Sequence, residues 1–192
     1  VRMLLDHTVG VPTWREKVPK GEVYDFDAMA ERCAREGAFW EPGSRQGYHM
    51  LSFGWLIGEV IRRVSGASLG AFLREAVAVP AGADFWLGVP EAEEARVAKV
   101  IPSVPDPANP TAFTLAVRAD RSSVPALALL NQGGMNPNTR ECHAAEIGGG
   151  GGVGRSAMML YQCRGIWLSS SRNLVRSLIS GLSSWVAKQP RW

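Results

Sequence analysis

The stretch PGSRQGYHMLSFGWLIGEVIRRVSG, residues 42–66, decides how this chain folds. It begins as a turn, because Glu41-Pro42-Gly43-Ser44 joins a fixed proline φ to a glycine that reaches the rarer dihedrals. The pattern then changes to a helical one. Phe53, Leu56, Ile57, Val60, Ile61 and Val64 recur at helical spacing, which predicts a helix over residues 48–64 with one apolar face. Glu59 precedes Arg62 and Arg63 by three and four positions, the favourable order for ion pairs along a helix. Gly66 suits the left-handed position that ends it. Ser68 then caps a second helix, which runs through Leu69, Phe72, Leu73 and Ala76 and stops before Pro80.

Outward from this core the reading stays helical. VRMLLDHT reads as a helix that stops at the Gly10-Val11-Pro12 loop. Asp25 or Asp27 caps a helix through Arg35, with Phe26, Met29, Ala30 and Cys33 on one face. PEAEEARVA, residues 90–98, is a short helix with a proline near its start and acids in its first turn. Four prolines in residues 102–110 predict an irregular loop. Segments 123–131 and 139–147 each form a helix around the turn-rich residues 133–138, and a glycine run over 148–152 leads to a last helical start at residues 154–161. Convincing strands are few and no repeat occurs, so the portion present is mostly helical.

Composition excludes several functions. In 192 residues, 46% are hydrophobic and 20% charged, which fits one globular domain or a large piece of one. No eighteen-residue apolar window exists, so no membrane span is expected. The formal charge of +3 is uneven. Residues 1–160 carry 16 basic and 18 acidic groups, whereas residues 161–192 carry 5 basic groups and no acid. The basicity belongs to a short tail rather than to a nucleic-acid-binding face, and no nucleic-acid partner is expected. Cys33, Cys142 and Cys163 lie far apart in odd number. They form neither a disulfide framework nor a zinc pattern, and they favour a reducing, cytoplasmic compartment. No metal and no cofactor is expected.

Several motifs offer chemistry. Gly66-Ala67-Ser68-Leu69-Gly70 matches the G-x-S-x-G nucleophile elbow of α/β-hydrolases, with Asp84, Asp106 or Asp120 and then His143 following in order. That elbow needs a strand leading into the serine, and residues 48–64 have helical periodicity instead. Gly149, Gly154, Arg155 and Ser156 approach a phosphate-cradling loop, but arginine stands in place of its lysine and no acid follows Glu146 to hold Mg²⁺. Cys142 beside His143 is read as a half-buried helix cysteine rather than a Cys–His catalytic pair. Tyr48 is the strongest candidate. A tyrosine between a rigid turn and a helix start is presented to a cleft, and it shuttles protons when a nearby cation lowers its pKa from about 10.

Two blocks together carry a resemblance. LLDHTVGVP, residues 4–12, resembles the Leu-Leu-x-His-Thr-Ser-Gly-Leu-Pro signature that follows the nucleophile helix of β-lactamase-related serine hydrolases. This family includes class C β-lactamases, penicillin-binding carboxypeptidases and esterases. Residues 42–66 are similar to its next block, with Tyr48 at the tyrosine of Tyr-x-Asn. Met50 stands at the asparagine, which is nearer the esterase-like branches. ADFWLGVPEAEEARVA and NTRECHAAEIGGGGGVGRSAMMLY resemble later blocks, so the likeness spans residues 1–161.

The resemblance implies an α/β (α+β) β-lactamase/transpeptidase-like fold, incomplete here, and acyl-serine hydrolysis of a small-molecule ester or β-lactam-like amide, with Tyr48 as a catalytic residue. The nucleophile of that family lies in Ser-x-x-Lys, where spacing of i and i+3 lets lysine activate serine. Three positions before Lys17, Lys20, Lys99 and Lys188 stand Trp14, Lys17, Arg96 and Trp185, so the motif is absent. The third motif, Lys-Thr-Gly or a His-Gly or Trp-Gly variant, is absent as well. The chain is therefore expected to be an inactive fragment covering roughly the middle half of a typical member. A non-catalytic remnant or binding module and an α/β-hydrolase using Ser68 are the alternatives. The serine- and tryptophan-rich tail, residues 162–192, is expected to be disordered or a frameshift product, although Leu174, Val175, Leu178, Ile179, Leu182 and Val186 have the spacing of a surface-seeking amphipathic helix.

Overall fold

Asp25 starts the helix that organises the interior. Its carboxylate accepts the Ala28 amide at 3.0 Å, and α2 follows over Phe26–Arg35, burying Met29, Ala30 and Cys33 as its apolar spacing predicts. The computed structural model describes residues 1–101 and 106–148. Ahead of α2 lies α1, Arg2–Leu5, which ends at Asp6 because the chain turns back on itself at His7 (φ 61°). The anticipated residues 1–8 are thus only half helical. The glycine run beyond Gly148, the helical start at 154–161, the phosphate-loop-like stretch, Cys163 and the tail lie outside the described residues, as do Pro102 and Pro105.

The long helix α3 runs Ser52–Ser65 and closes on Gly66 in the left-handed conformation (φ 72°), where a side chain is disfavoured. Two expectations about it are corrected. It begins four residues after Tyr48, because residues 47–49 are drawn into hydrogen bonds with the loop after α1 instead of with the helix. Its buried face also differs from the predicted apolar stripe, since Ser52, Gly54, Trp55 and Gly58 are the buried residues and Val64 is exposed. Small residues win because α2 comes so close. A Cβ on Gly58 would lie 2.9 Å from the Phe26 ring. Phe53, Ile57 and Ile61 instead line an apolar groove of about 250 Å³ with Leu69, Leu73, Phe85, Leu87 and Gly148.

Helix α4, Leu69–Leu73, widens into one π-type turn over Arg74–Ala78, so the helical run expected through Ala76 is present with a wider last turn. The 90–98 segment is a 3₁₀ turn over Glu91–Arg96. An unanticipated helix, α5, spans Ala112–Ala119 behind a Thr111 cap whose hydroxyl accepts the Thr114 amide. The expected pair follows as α6, Val124–Leu130, and α7, Arg140–Ala144. Trp14, Val18, Val23, Met29, Cys33, Leu51, Trp55 and Ile147 form the core, with Trp14 and Trp55 edge to face at 5.7 Å. The described residues contain no extended strand, only a lone bridge at Trp86, and no helix among them is long and apolar enough to cross a membrane.

Candidate functional site

The two sequence blocks meet through backbone. The Gly43 amide donates to the Thr8 carbonyl at 2.9 Å and the Gly47 amide to the His7 carbonyl at 3.1 Å. The Phe39 amide donates to the Gly10 carbonyl at 2.7 Å, and the Trp40 indole reaches the Thr8 carbonyl at 3.3 Å. Gly10 sits at φ 88°, and a Cβ there would lie 2.7 Å from the Trp40 carbonyl, so only glycine allows the two loops this approach. Ser52, the first residue of α3, donates to the Val11 carbonyl at 2.7 Å from a fully buried position. The backbone groups of these loops thereby find partners across the junction.

Tyr48 stands on this junction with 72% of its surface exposed. Its ring meets the His7 imidazole edge to face, with centroids 5.2 Å apart. His7 also lies 4.8 Å from the Phe53 ring and 5.5 Å from His49. His7 and His49 are the residues that motif reading passed over, although both lie inside the quoted blocks. His49 is 1% exposed. Burial holds its imidazole below the ordinary value of 6.5, against the contrary pull of its bond to the Gly47 carbonyl, and nearby His7 adds to the depression. Met50 is partly buried and packs against the core cluster that contains Trp14 and Trp55.

The other candidates are dispersed and locally engaged. Ser68 follows a helix and a left-handed glycine, not a strand, which excludes the nucleophile elbow. Its hydroxyl caps α4 by accepting the Ala71 amide at 3.2 Å and donates to Glu146 Oε1 at 2.7 Å. The second Glu146 oxygen accepts the Gly70 amide at 2.8 Å. His143 bonds through Nδ1 to Glu94 at 2.7 Å and through Nε2 to the Pro137 carbonyl at 2.8 Å, far from any serine partnership. That bond to His143, joined by Arg140, holds the Glu94 carboxyl below its usual range. Asp84 pairs with Arg96, Asp106 accepts from Ala108 and Asn109, and Asp120 from Ser122.

The cysteines offer no nucleophile among the described residues. Burial pushes the Cys33 thiol up to about 12 and raises that of Cys142, so both keep their protons at neutral pH. No group of three or more histidines, cysteines or carboxylates among the described residues is arranged to hold a metal ion.

The chain is similar to known proteins in sequence and in fold. The family model described as Beta-lactamase matches residues 1–178. The esterase/beta-lactamase LipL of Mycobacterium tuberculosis is 33% identical over 106 residues, covering 53% of this chain and 24% of that protein. Among solved structures, EstA from Arthrobacter nitroguajacolicus Rue61a aligns with a TM-score of 0.66 and 30% identity, covering 81% of this chain and 41% of that one. A family VIII carboxylesterase aligns at 0.59 and 36% identity, over 79% and 38% of the two chains. A penicillin-binding protein homolog from Caulobacter crescentus aligns at 0.61 and 27%, over 78% and 38%. The chain thus spans about a quarter of the curated relative's length and about two fifths of each solved chain.

Proposed function

Because the chain belongs to the beta-lactamase family and has its β-lactamase/transpeptidase-like fold, we propose that it is part of an acyl-serine hydrolase for small carboxylic esters, in which Tyr48 carries protons. In such an enzyme a serine attacks the substrate carbonyl, the leaving group must be protonated, and backbone amides hold the oxyanion. The observation that carries the reading is the placement of Tyr48. It is an exposed phenol on a segment tied before it by the Gly47–His7 backbone bond and after it by the buried Val11–His49 bond. An exposed aromatic on a rigid base is what a proton shuttle requires, since the hydroxyl must reach substrate without its own backbone yielding.

Esters are favoured over β-lactam-like amides by residue 50. Asparagine there would offer an amide to the substrate; Met50 offers none and turns to the core. The solved carboxylesterase relative agrees with that preference, while the curated relative's name joins esterase to beta-lactamase.

The chain itself is proposed to be inactive and to be a fragment, with a domain portion over residues 1–161 and an atypical tail over 162–192, the first part of which, through residue 178, the family match still covers. No serine stands three positions before any lysine, so Tyr48 has no Ser-x-x-Lys nucleophile to serve. A non-catalytic binding module is the second reading, favoured by that same absence. The free Cys33 and Cys142 suit the cytoplasm.

The test has two arms. The purified 192-residue chain should neither turn over p-nitrophenyl esters or nitrocefin above background nor label with a fluorophosphonate, and stoichiometric labelling of Ser68 would reverse the assignment. The flanking DNA should encode Ser-x-x-Lys ahead of Val1. In that longer product Tyr48→Phe should lower kcat for esters by about 10²–10⁴-fold; unchanged turnover would remove Tyr48 from the chemistry.

A further inference from the structure

Tyr48 sits outside any helix, so the precision of its position comes from its neighbours. The residue after it is an imidazole sealed from solvent, and each of its nitrogens meets one backbone group. Nδ1 lies 2.6 Å from the Gly47 carbonyl, and Nε2 lies 3.0 Å from the Val11 amide. A carbonyl can only accept and an amide can only donate. The ring therefore carries its proton on Nδ1 and presents a lone pair at Nε2. A charged ring would lose the Val11 bond, and the other tautomer would lose both.

We infer, on the reading that Tyr48 carries protons, that His49 is its positioning residue, a neutral Nδ1–H imidazole that bolts the Tyr48 backbone to the loop after α1. The bonds close around Tyr48 from both sides. Gly47 donates its amide to the His7 carbonyl at 3.1 Å and gives its own carbonyl to His49. The His49 amide reaches His7 Nδ1 at 3.3 Å. His7 is thus tied to the residues before and after Tyr48 while its ring meets the Tyr48 ring in a T-shaped contact. The bolt is itself enclosed, with Trp40 edge to face at 5.9 Å and His7 at 5.5 Å. Volume alone does not account for a histidine here. A leucine would fill the space and leave the Val11 amide and the Gly47 carbonyl without this partner.

The full 192-residue chain, with ¹⁵N-histidine and ¹³C-tyrosine, reads this directly. Long-range proton–nitrogen correlation at pH 7.5 should find His49 protonated at Nδ1 and bare at Nε2; the opposite tautomer or a charged ring would overturn the inference. Tyr48 ring signals, assigned through Tyr48→Phe, should lose their His7 ring-current offset in His49→Leu while Tyr24 stays put. His49→Gln, whose oxygen can still accept from Val11, should keep part of that offset and serves if His49→Leu does not fold. Tyr48 signals unmoved in either folded variant would reduce His49 to packing. Turnover indifferent to Tyr48→Phe in the longer product would overturn the catalytic reading alone, since the ring signals report position whether or not hydrolysis occurs.

Discussion

The Val11 amide donates to His49 Nε2 at 3.0 Å, joining residues 38 positions apart inside the protein. That bond ties the block at residues 4–12 to the segment bearing Tyr48, and it exists only while the imidazole is neutral.

Stability should therefore fall in mild acid. An unfolded histidine takes its proton near pH 6.5, whereas His49, desolvated by burial, takes it only at lower pH. Between those values the unfolded chain binds more protons, so folding weakens as pH drops through the window. The His49 contribution is fully present above about pH 6.5. Urea midpoints at pH 7.5 and 5.5 should differ more for wild type than for His49→Gln. Equal differences would show that His49 does not titrate with unfolding.

Removing the Tyr48 hydroxyl should leave the fold alone. The side chain is 72% exposed, and exposed substitutions away from special features stay within about 0.5 kcal/mol. Tyr48→Phe should match wild type in thermal melting, whereas His49→Leu should melt distinctly lower. A large loss from Tyr48→Phe would mean that the phenol is a structural tie.

Gly58→Ala tests the contact between α2 and α3. The added methyl would meet the Phe26 ring at 2.9 Å, a crowding that costs about 1–3 kcal/mol. The gain in helix propensity, about 1 kcal/mol at most, does not offset it. Adding Phe26→Ala should recover part of the loss by making room. A simple sum of the two losses would argue that the residues do not press on each other.

Ser68→Ala should cost about 1 kcal/mol, the ordinary loss of a helix cap. The Ala71 amide would lose its acceptor and Glu146 one of its donors. Fluorophosphonate labelling should be as absent as in wild type. Any labelling that vanishes with Ser68→Ala would revive the elbow.

What the amino-acid sequence determined by itself was whatever closes within a few residues. Asp25, Ser68 and Gly66 announce helix ends because a cap bond spans three or four positions. The two blocks at 4–12 and 42–66 also identify the family, since each motif is local. Thr111, which caps α5 just after the proline-rich residues 102–110, is a signal of the same local kind. Tertiary structure alone decided where α3 begins and which face it buries. Hydropathy ranks Phe53, Ile57 and Ile61 above Gly54 and Gly58, but packing rewards close approach, and only glycine admits Phe26. The site was divided in the same way. Tyr48 is a candidate that its motif offers, whereas the bond from Val11 to His49 is not readable, because the two lie 38 residues apart and hydrogen-bond partners at that distance leave no periodicity.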